Sequence, residues 1–285
     1  MPELPELQAL AEGLDGALRG RRIEGVRIHH PATIRSADPP LEALAGRAVE
    51  TVWRRGKIIG LAAEGDLTLV VHLMQAGRLG LAPRPEDGAR PPRTAALDLD
   101  VGDGQVLRLR ELSTHRRASA HLLDAAGLAA HRPLARLGPE PIGLAPHGWR
   151  EALSGDGAVL HTALRDGRRV AGIGRAYASD IMWAAKLAPY ARAGSLDDDE
   201  VARLARASDT VLQQALERAR ERITTDLPNR EQRVTAVHGH YGEPCLRCGT
   251  RLERVSFVEY ELVYCPHCQT GGRIYRDRRM SRLLN

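Results

Sequence analysis

The residues with the clearest chemical potential stand at the start of the chain: Pro2, Glu3 and Glu6. If Met1 is removed, Pro2 exposes a secondary amine, a nucleophile that forms a positively charged iminium with a sugar aldehyde. An α-amino group titrates near about 8, so a neutral fraction exists near neutral pH, and a nearby carboxylic acid can transfer protons. An ordinary helix start has the same composition, with proline and glutamate in its first turn. This segment alone leaves both interpretations open.

The four cysteines of the chain form two Cys-x-x-Cys pairs, Cys245 with Cys248 and Cys265 with Cys268. This spacing is typical of a zinc ribbon, in which two knuckles supply four thiolates to a tetrahedral metal. Four sulfur ligands leave no coordination position for water, so the spacing predicts one structural Zn²⁺ per chain. We interpret His267 as a knuckle residue and not a ligand. Two disulfides are the alternative, which the lack of a secretion signal disfavours.

The length and charge of the chain limit the number of its domains and the kinds of partner it can have. The 285 residues are enough for two domains and a small appendage. The net charge of +5 and the pI of about 9.3 suit a chain that meets phosphate, but many other proteins share them. No apolar run approaches the roughly 18 residues of a membrane span, and the N-terminus does not resemble a signal peptide. We therefore expect a soluble, cytoplasmic protein that contacts no membrane.

The first half of the chain is predicted to be one helix followed by strands. Leucines at helical spacing predict an amphipathic helix from Leu4 to about Arg19, which Gly13 and Gly16 weaken. Alternating apolar residues then predict short strands, with a hairpin around the turn at residues 102–104. The strands are expected at residues 23–28, 49–52, 57–62, 67–73, 97–101 and 107–109. Antiparallel strands with a covering helix predict a β-sandwich.

The second half is predicted to be helical. Proline-rich residues 82–93 and 131–146 are expected to form a loop and a linker. Helices are predicted near residues 147–153, 158–164, 176–187 and 197–222, and the last is expected to open with Ser195 and Asp198 as a capping box. Residues 224–244 are predicted to be a long loop. The resulting domains are a β-sandwich at 1–130, the linker at 131–146, a helical domain at 147–240 and a zinc finger with a basic tail at 241–285.

A short glycine turn lies between two of these helices. Gly172 and Gly174 allow a tight reversal, and backbone amides then converge at the start of the following helix, which is a natural site for phosphate. Arg175 adds a positive charge. A simple helix connection is the alternative interpretation.

Four motifs in this order resemble one known family. They are the segment from Pro2 to Glu6, the segment from Arg54 to Lys57, the turn from Gly172 to Gly174 before Tyr177, and the two cysteine pairs followed by Gln269. Together they resemble the formamidopyrimidine-DNA glycosylase and endonuclease VIII family over essentially the whole chain. The resemblance implies an α+β protein with an N-terminal β-sandwich, a helix-two-turn-helix domain and a C-terminal zinc ribbon.

The resemblance also implies the catalytic roles. Pro2 matches the nucleophile that attacks the sugar C1′ of a flipped, damaged nucleotide. Glu3 matches the acid that assists sugar opening and proton transfer, and Glu6 matches a second acid near the amine. Lys57 matches a lysine that contacts phosphate beside the lesion. The implied activity is that of a glycosylase and an abasic-site lyase in one site, without a catalytic metal.

Two loops are expected to fill the gap that base flipping leaves in the duplex. Alignment on His72 places Gln75 at the family's methionine position. In the second loop Arg116 or Arg117 is expected to be the inserted cation. The family's aromatic wedge falls at Ala118, so this chain departs from the pattern there.

Other expected DNA contacts also depart from the family. His161 stands where the family has a lysine that faces phosphate, and Arg175 replaces an asparagine but is still expected to bind phosphate. Tyr260 stands near the position of a phosphate-binding arginine. The only phenylalanine, Phe257, also lies in the ribbon and is therefore not the wedge. Arg273 opens a basic tail that continues through Arg276, Arg278, Arg279 and Arg282, which is expected either to bind phosphate or to lie in solvent.

The sequence thus predicts a base-excision repair enzyme that acts on double-stranded DNA containing damaged bases or abasic sites. It is expected to be a monomer associated with the nucleoid in the cytoplasm. Two alternatives stay open at this point. One is a zinc-finger protein that binds damaged DNA with little or no catalysis, and the other is an enzyme that acts mainly as an abasic-site lyase.

Overall fold

The structure is a computed structural model that describes residues 1–86, 89–155, 157–230, 233–256 and 261–275. The chain forms two compact units, and each unit is built from two segments. The first unit is Met1–Arg136 with Leu216–Gln232, and the second is Leu137–Ala215 with Arg233–Asn285. The four-part domain division drawn from the sequence stays a prediction.

The first unit begins with the predicted amphipathic helix, α1, which spans Leu4–Leu18. Leucines spaced three and four residues apart lie on one face of a helix, and this face is the buried one. Five leucines of α1 are at most 1 % exposed: Leu4, Leu7, Leu10, Leu14 and Leu18. The strands that receive this face belong to two antiparallel sheets, so α1 anchors the start of the chain in the core of the unit.

Each sheet of the first unit has four strands. The strands are β1 Gly25–Ile28, β2 Val49–Arg55, β3 Ile58–Ala63, β4 Leu67–His72, β5 Gly77–Pro83, β6 Ala95–Asp100, β7 Gln105–Glu111 and β8 Ser119–Leu123. One sheet has the order β1-β6-β7-β5 and the other has the order β2-β3-β4-β8. Helix α1 contacts β2, β3 and β5, and therefore touches both sheets. These sheets and the covering helix confirm the predicted α+β class.

The hairpin of β6 and β7 buries a charged pair. Asp98 pairs with Arg108 across the strands, and the guanidinium donates two hydrogen bonds of 2.8 and 2.7 Å to the carboxylate. His29 Nε2 lies 3.0 Å from the same carboxylate. Burial acts to raise the pKa of Asp98, but the hydrogen bonds and charge of Arg108 outweigh burial and hold that pKa below its usual range. The alternation of Leu and Asp in β6 thus marks a strand buried on both faces.

Four elements of the first unit lie outside the sequence predictions. Strands β5 and β8 occupy residues for which no strand was expected, and both are edge strands of their sheets. Two short helices, α2 at Ala125–Ala130 and α3 at Arg132–Ala135, frame the expected linker. Helix α3 lies inside the expected linker, and a proline near its start is compatible with a helical first turn.

The second unit contains the predicted helices and the ribbon. The helices are α4 Pro146–Leu153, α5 Leu160–Arg165, α6 Arg175–Ala184 and α7 Asp198–Arg220, whose last turn belongs to the first unit. Trp149 and Leu160 lie in their core with no exposed surface. The ribbon strands are β9 Glu253–Ser256 and β10 Glu261–Tyr264, followed by α8 Pro266–Thr270. Val255, Leu262 and Tyr264 pack into the same core, so ribbon and helices fold together.

The capping box of α7 differs from the prediction. The Glu200 N–H donates to the Asp197 side chain at 2.7 Å, and the Asp197 N–H donates to the Glu200 side chain at 3.0 Å. The box predicted for Ser195 and Asp198 is therefore wrong by two residues, because an adjacent acid offers the same capping chemistry. Among the helices that the structure describes, none is long and apolar enough to cross a membrane.

Candidate active site

The first turn of α1 holds both predicted acids in a capping box. The Glu3 N–H donates to Glu6 Oε2 at 2.8 Å, and the Glu3 side chain accepts from the Glu6 backbone. Glu3 is 3 % exposed and Glu6 is 7 % exposed. The helix-start interpretation is thus correct for these residues, and it also fixes two carboxyl groups next to Pro2. In this chain Met1 precedes Pro2, so the predicted amine chemistry requires removal of Met1.

A lysine and a histidine lie side by side at the adjoining strand ends. Lys57 follows Gly56 in the turn between β2 and β3, and its neighbour Ile58 pairs with His72 at the end of β4. Burial, and then the charge of Lys57, lower the pKa of His72, so the imidazole is neutral near pH 7. The Met74 N–H donates to His72 Nδ1 at 3.2 Å. The predicted catalytic lysine and the first predicted gap-filling loop are therefore neighbours.

The segment before Lys57 is tied to α1. Arg54 donates from Nε to the side-chain oxygen of Gln8 at 2.8 Å, and Arg54 also contacts the Gly56 carbonyl at 3.2 Å. Gly56 has φ of +58°, which favours glycine. One arginine thus connects the helix that begins beside Pro2 with the turn that carries Lys57.

The first predicted gap-filling loop is a tight turn at residues 73–77 between β4 and β5. Gln75 is exposed at this turn, and Met74 is half-buried with φ of +52°. The Gly77 N–H closes the turn on the Leu73 carbonyl at 2.8 Å. The structure therefore presents Gln75, the residue expected from the alignment, and keeps Met74 partly covered.

The second predicted gap-filling loop follows β7, and Glu111 holds its backbone. Glu111 Oε2 accepts the backbone N–H groups of Arg117 and Ala118 at 3.0 and 2.8 Å. Arg117 is exposed, whereas Arg116 is half-buried and donates to the Arg93 carbonyl at 2.9 Å. Ala118 is 2 % exposed. The position of the family's aromatic wedge is thus inside the protein here, and Arg117 is the more accessible cation.

The glycine turn that is predicted to bind phosphate lies directly before α6. Gly172 has φ of +87°, and Gly174 is the residue that precedes the first turn of α6. Arg175 begins the helix and is exposed, and Tyr177 is buried. The Arg233 guanidinium lies 5.6 Å from the centre of the Tyr177 ring. Two arginines therefore accompany the N-terminus of α6, where the helix dipole favours an anion.

The four cysteines converge as the spacing predicts. Their Sγ atoms all lie within 4.8 Å of one another, and Cys248 Sγ lies 3.5 Å from the Sγ atoms of Cys265 and Cys268. Tetrahedral Zn²⁺ with bonds of about 2.3 Å needs sulfur atoms about 3.8 Å apart, so the donor set fits zinc. Trp183 Nε1 donates to Cys245 Sγ at 3.4 Å, which supports a thiolate.

Gln269 fastens the second knuckle. Its Oε1 accepts the Cys265 N–H at 2.8 Å, and its Nε2 donates to the Leu187 carbonyl at 2.8 Å. His267 is exposed and is not part of the ligand cluster found in the described chain. The four thiolates would hold a structural zinc ion, which joins the two knuckles.

Comparison with known proteins identifies the family. Family models match in chain order: the formamidopyrimidine-DNA glycosylase N-terminal domain at residues 1–118, its H2TH domain at 137–226, and a zinc finger found in FPG and IleRS at 242–271. A formamidopyrimidine-DNA glycosylase of Geobacter sulfurreducens is 35 % identical over 278 residues, with 94 % of this chain and 100 % of the relative covered. This chain belongs to the formamidopyrimidine-DNA glycosylase family.

Further relatives agree with this assignment. A formamidopyrimidine-DNA glycosylase of Moorella thermoacetica is 36 % identical over 266 residues, covering 90 % of this chain and 94 % of the relative. A Lactococcus lactis Fpg structure, bound non-covalently to DNA containing an abasic site, shares the fold. That match has a TM-score of 0.81 at 23 % identity and covers 94 % of this chain and 99 % of that one.

His161, which is expected to contact phosphate, lies inside the protein. His161 has no exposed surface, and its Nε2 lies 3.3 Å from Ser179 Oγ. Burial lowers the pKa of His161 to about 3, with a further contribution from Arg165. A buried, neutral imidazole offers phosphate neither access nor charge. The phosphate contact of His161 stays a prediction, and the burial and neutrality of the imidazole count against it.

The ribbon contacts expected from the family are only partly described. Arg273 is exposed, and its guanidinium lies 5.2 Å from the centre of the Tyr275 ring. Tyr260 lies outside the described residues, as do Phe257 and the tail arginines Arg276, Arg278, Arg279 and Arg282. Among the tail arginines, Arg273 is the one that lies within the described residues.

Sequence reasoning missed Asp180 in α6. Its carboxylate accepts the backbone N–H groups of Ala236, Val237 and His238 at 2.7, 3.1 and 3.2 Å. Burial raises the pKa of Asp180 against these hydrogen bonds. This acid fixes the loop after residue 233 on the helix that Arg175 begins. The sequence signal that could have identified Asp180 is an acidic residue within the mostly apolar helix α6.

Proposed function

We propose that this chain is a base-excision repair enzyme, a DNA glycosylase with abasic-site lyase activity whose nucleophile is Pro2. Family membership over 94 % of the chain supports the reaction class. The observation that carries the site assignment is the capping box of Glu3 and Glu6, which buries two carboxyl groups directly beside Pro2.

The reaction follows from the chemistry of a secondary amine. The Pro2 nitrogen attacks C1′ of the damaged nucleotide, the bond from C1′ to the base breaks, and the base departs with a proton. Opening of the sugar ring gives an iminium between Pro2 and C1′. The iminium acidifies the C2′ protons, so loss of one proton expels the 3′ phosphate and nicks the strand. Water then hydrolyses the remaining iminium and returns the amine.

The described residues fit the remaining steps. Glu3 is the proposed acid for sugar opening and proton transfer. Glu6 holds the first turn and is the second acid near the amine. Lys57 is proposed to bind phosphate beside the lesion, with neutral His72 available as a hydrogen-bond partner. The zinc ion is structural, because four sulfur ligands leave no open position.

DNA contacts are proposed from exposure and charge. Gln75 and Arg117 are exposed on the two loops that would fill the gap in the duplex, with Arg116 beside them. Arg175 at the start of α6 and Arg273 after the ribbon are proposed to bind phosphate. The proposed partner is double-stranded DNA that contains damaged bases or abasic sites, bound by one copy of the chain in the nucleoid of the cytoplasm.

Borohydride trapping tests the proposal. Intact mass first establishes that Met1 is absent from the purified protein. Abasic duplex DNA is then reduced with borohydride in the presence of wild type and of Pro2→Gly, which keeps a terminal amine but loses the ring. The expected result is a covalent adduct for wild type that forms at least about tenfold faster than for the variant. Equal rates would refute Pro2 as the nucleophile, and no adduct for wild type would refute the enzyme.

One observation favours a second candidate, an enzyme that acts mainly on abasic sites. Ala118 stands at the position of the aromatic wedge and is buried, so one gap-filling side chain is absent. Single-turnover rates on 8-oxoguanine, formamidopyrimidine, oxidised pyrimidine, bulky alkylated and abasic duplexes separate the candidates. Cleavage confined to the abasic duplex favours the lyase, and binding without cleavage of any duplex favours a damage-binding protein.

A further inference from the structure

The outer edge of β5 is covered by a segment that follows α7. We call residues 225–229 the strap. The Leu81 N–H donates to the Thr225 carbonyl at 2.9 Å, and the Leu227 N–H donates to the Leu79 carbonyl at 3.1 Å. Asp226 faces Gly80 as an isolated antiparallel bridge. The strap therefore pairs with the edge strand of the sheet β1-β6-β7-β5 through one bridge and belongs to the same unit as that sheet.

Gly80 permits this close approach. A Cβ atom at Gly80 would lie 2.5 Å from Asp226 Cα, a backbone atom that has little freedom to move. On the neighbouring strand, Arg110 donates to Asp226 Oδ1 at 2.5 Å and to the Leu227 carbonyl at 3.0 Å. The strap is thus held by backbone bonds, by an ion pair and by the lack of a side chain at Gly80.

Arg78 connects the strap to the turn at residues 73–77. It is only 5 % exposed. Its Nε donates to the Pro228 carbonyl at 2.8 Å, and one terminal nitrogen donates to the Asn229 carbonyl at 3.2 Å. The other terminal nitrogen donates to the Gly77 carbonyl at 2.8 Å and lies 3.4 Å from the Gln75 carbonyl. One buried guanidinium therefore bridges two segments that are far apart in sequence.

The contacts of Arg78 are more than the strap needs to cover the edge of β5. The backbone bonds of Leu79 and Leu81, together with Arg110, already hold the strap on the sheet. The bonds of Arg78 to Gly77 and toward Gln75 go to the turn, and burying a charged guanidinium is costly unless its donors are used. The extra contacts thus restrict the backbone of the turn that presents Gln75.

We infer that Arg78 and the strap position the turn at residues 73–77, so that Gln75 enters the duplex when the damaged nucleotide is flipped out. Arg78 is a positioning residue, since it acts through the backbone of the turn and does not touch the reacting atoms. The inference rests on the proposed function, because Gln75 is a gap-filling residue only in an enzyme that flips a base.

The test compares a flipping-dependent step with one that needs no flipping. Arg78→Ala and Gly80→Ala loosen the turn from the strap by two independent routes. Arg84→Ala is the matched control, since Arg84 follows β5 and pairs with Asp100 on the exposed surface. Insertion is measured as the fluorescence rise of 2-aminopurine placed opposite a tetrahydrofuran abasic analogue in a duplex. Borohydride trapping on single-stranded abasic DNA measures the chemical step without a duplex.

We expect both turn variants to lose at least about tenfold in the rate of the fluorescence rise, equivalent to about 1.4 kcal/mol in the barrier. Their trapping on single-stranded DNA should stay within about twofold of wild type, and Arg84→Ala should match wild type in both assays. A parallel fall in both assays would show a merely structural role, and an unchanged fluorescence rate would show that the strap does not position the turn. Either result overturns the inference.

The proposed function has its own refutation, which is a wild type that forms no adduct in borohydride trapping. The fluorescence assay requires no catalysis, so it still decides whether Arg78 controls insertion in that case. A wild type that gives no fluorescence rise would refute Gln75 insertion and the inference together.

Discussion

Helix α1 contains two glycines with different surroundings, Gly13 and Gly16. Substituting each by alanine should change the stability of the protein in opposite directions. A Cβ atom at Gly13 would come closer than 3.0 Å to the backbone carbonyl of Thr224, a separation that real Cβ atoms essentially never show. A Cβ atom at Gly16 would meet no atom within 4 Å. Both positions are helical. Because glycine loses more backbone entropy on folding, alanine at either position should add about 0.5–1 kcal/mol to the free energy of unfolding when nothing clashes.

The contact with Thr224 decides whether alanine at position 13 raises or lowers the free energy of unfolding. Overpacking costs up to about 3 kcal/mol when the neighbour cannot move, and Thr224 is held next to the end of α7, where Arg220 donates two hydrogen bonds of 2.7 and 2.8 Å to Glu12. Gly13→Ala should therefore lose about 2 kcal/mol of unfolding free energy. Gly16→Ala should gain about 0.5–1 kcal/mol. The melting temperatures should fall by roughly 4–8 °C and rise by roughly 1–4 °C, respectively.

The assay is thermal unfolding of both variants and wild type at equal concentration, with borohydride trapping of abasic DNA as a second measurement. Because α1 begins beside Pro2, a displaced helix should also slow trapping by Gly13→Ala, and trapping by Gly16→Ala should be unchanged. If Gly13→Ala were as stable as Gly16→Ala, the packing of Thr224 on α1 would be refuted.

Three further predictions concern other parts of the chain. Asp98→Asn leaves buried Arg108 without its charge partner and should cost about 3–5 kcal/mol in urea unfolding, whereas Asp100→Asn, near the surface, should cost less than about 1 kcal/mol. Because folding lowers the pKa of Asp98, its stabilisation is complete above the usual value near 4 and is lost as pH falls through the folded value, so Asp98→Asn should lose less stability on acidification. Cys248→Ser should release zinc to a chelator far faster than wild type, measured by a zinc-sensitive dye, and equal release would contradict its role as a ligand. Glu111→Ala should slow duplex nicking more than Glu111→Gln, which keeps an acceptor for the loop after β7, and equal rates would contradict that role.

Local patterns predicted the elements that carry their own signal. The leucine stripe predicted α1, alternation predicted the hairpin of β6 and β7, and the cysteine spacing predicted the zinc cluster. The N-terminal helix signal and the catalytic interpretation of Glu3 were not in conflict, because one capping box serves the fold and also places the acid.

Long-range contacts could not be predicted in this way. Gly13 and Gly16 are equivalent in the sequence, and only Thr224, far along the chain, distinguishes them. Strand β5 contains Gly77 and Gly80 and has weak strand propensity; pairing with β7 and the strap stabilises it. The alternation in β6 predicted the hairpin but not the burial of Asp98, which depends on the cation that the partner strand supplies.

The departures from the family pattern show a similar limit. His161 was assigned by its aligned position, and only the packing of α5 on α6 reveals that it is buried. Gln75 was assigned in the same way, and the turn leaves it exposed. Alignment identifies which position a residue occupies, whereas burial and charge decide what that residue can contact.

The central claim is that the Pro2 nitrogen bonds to C1′ of the damaged nucleotide. The most direct measurement is mass spectrometry of the borohydride-reduced complex after digestion of protein and DNA. We expect a sugar-derived adduct on the N-terminal peptide, located at Pro2, with Met1 absent. An adduct located on Lys57 or on any other side chain, with an unmodified Pro2, would contradict it.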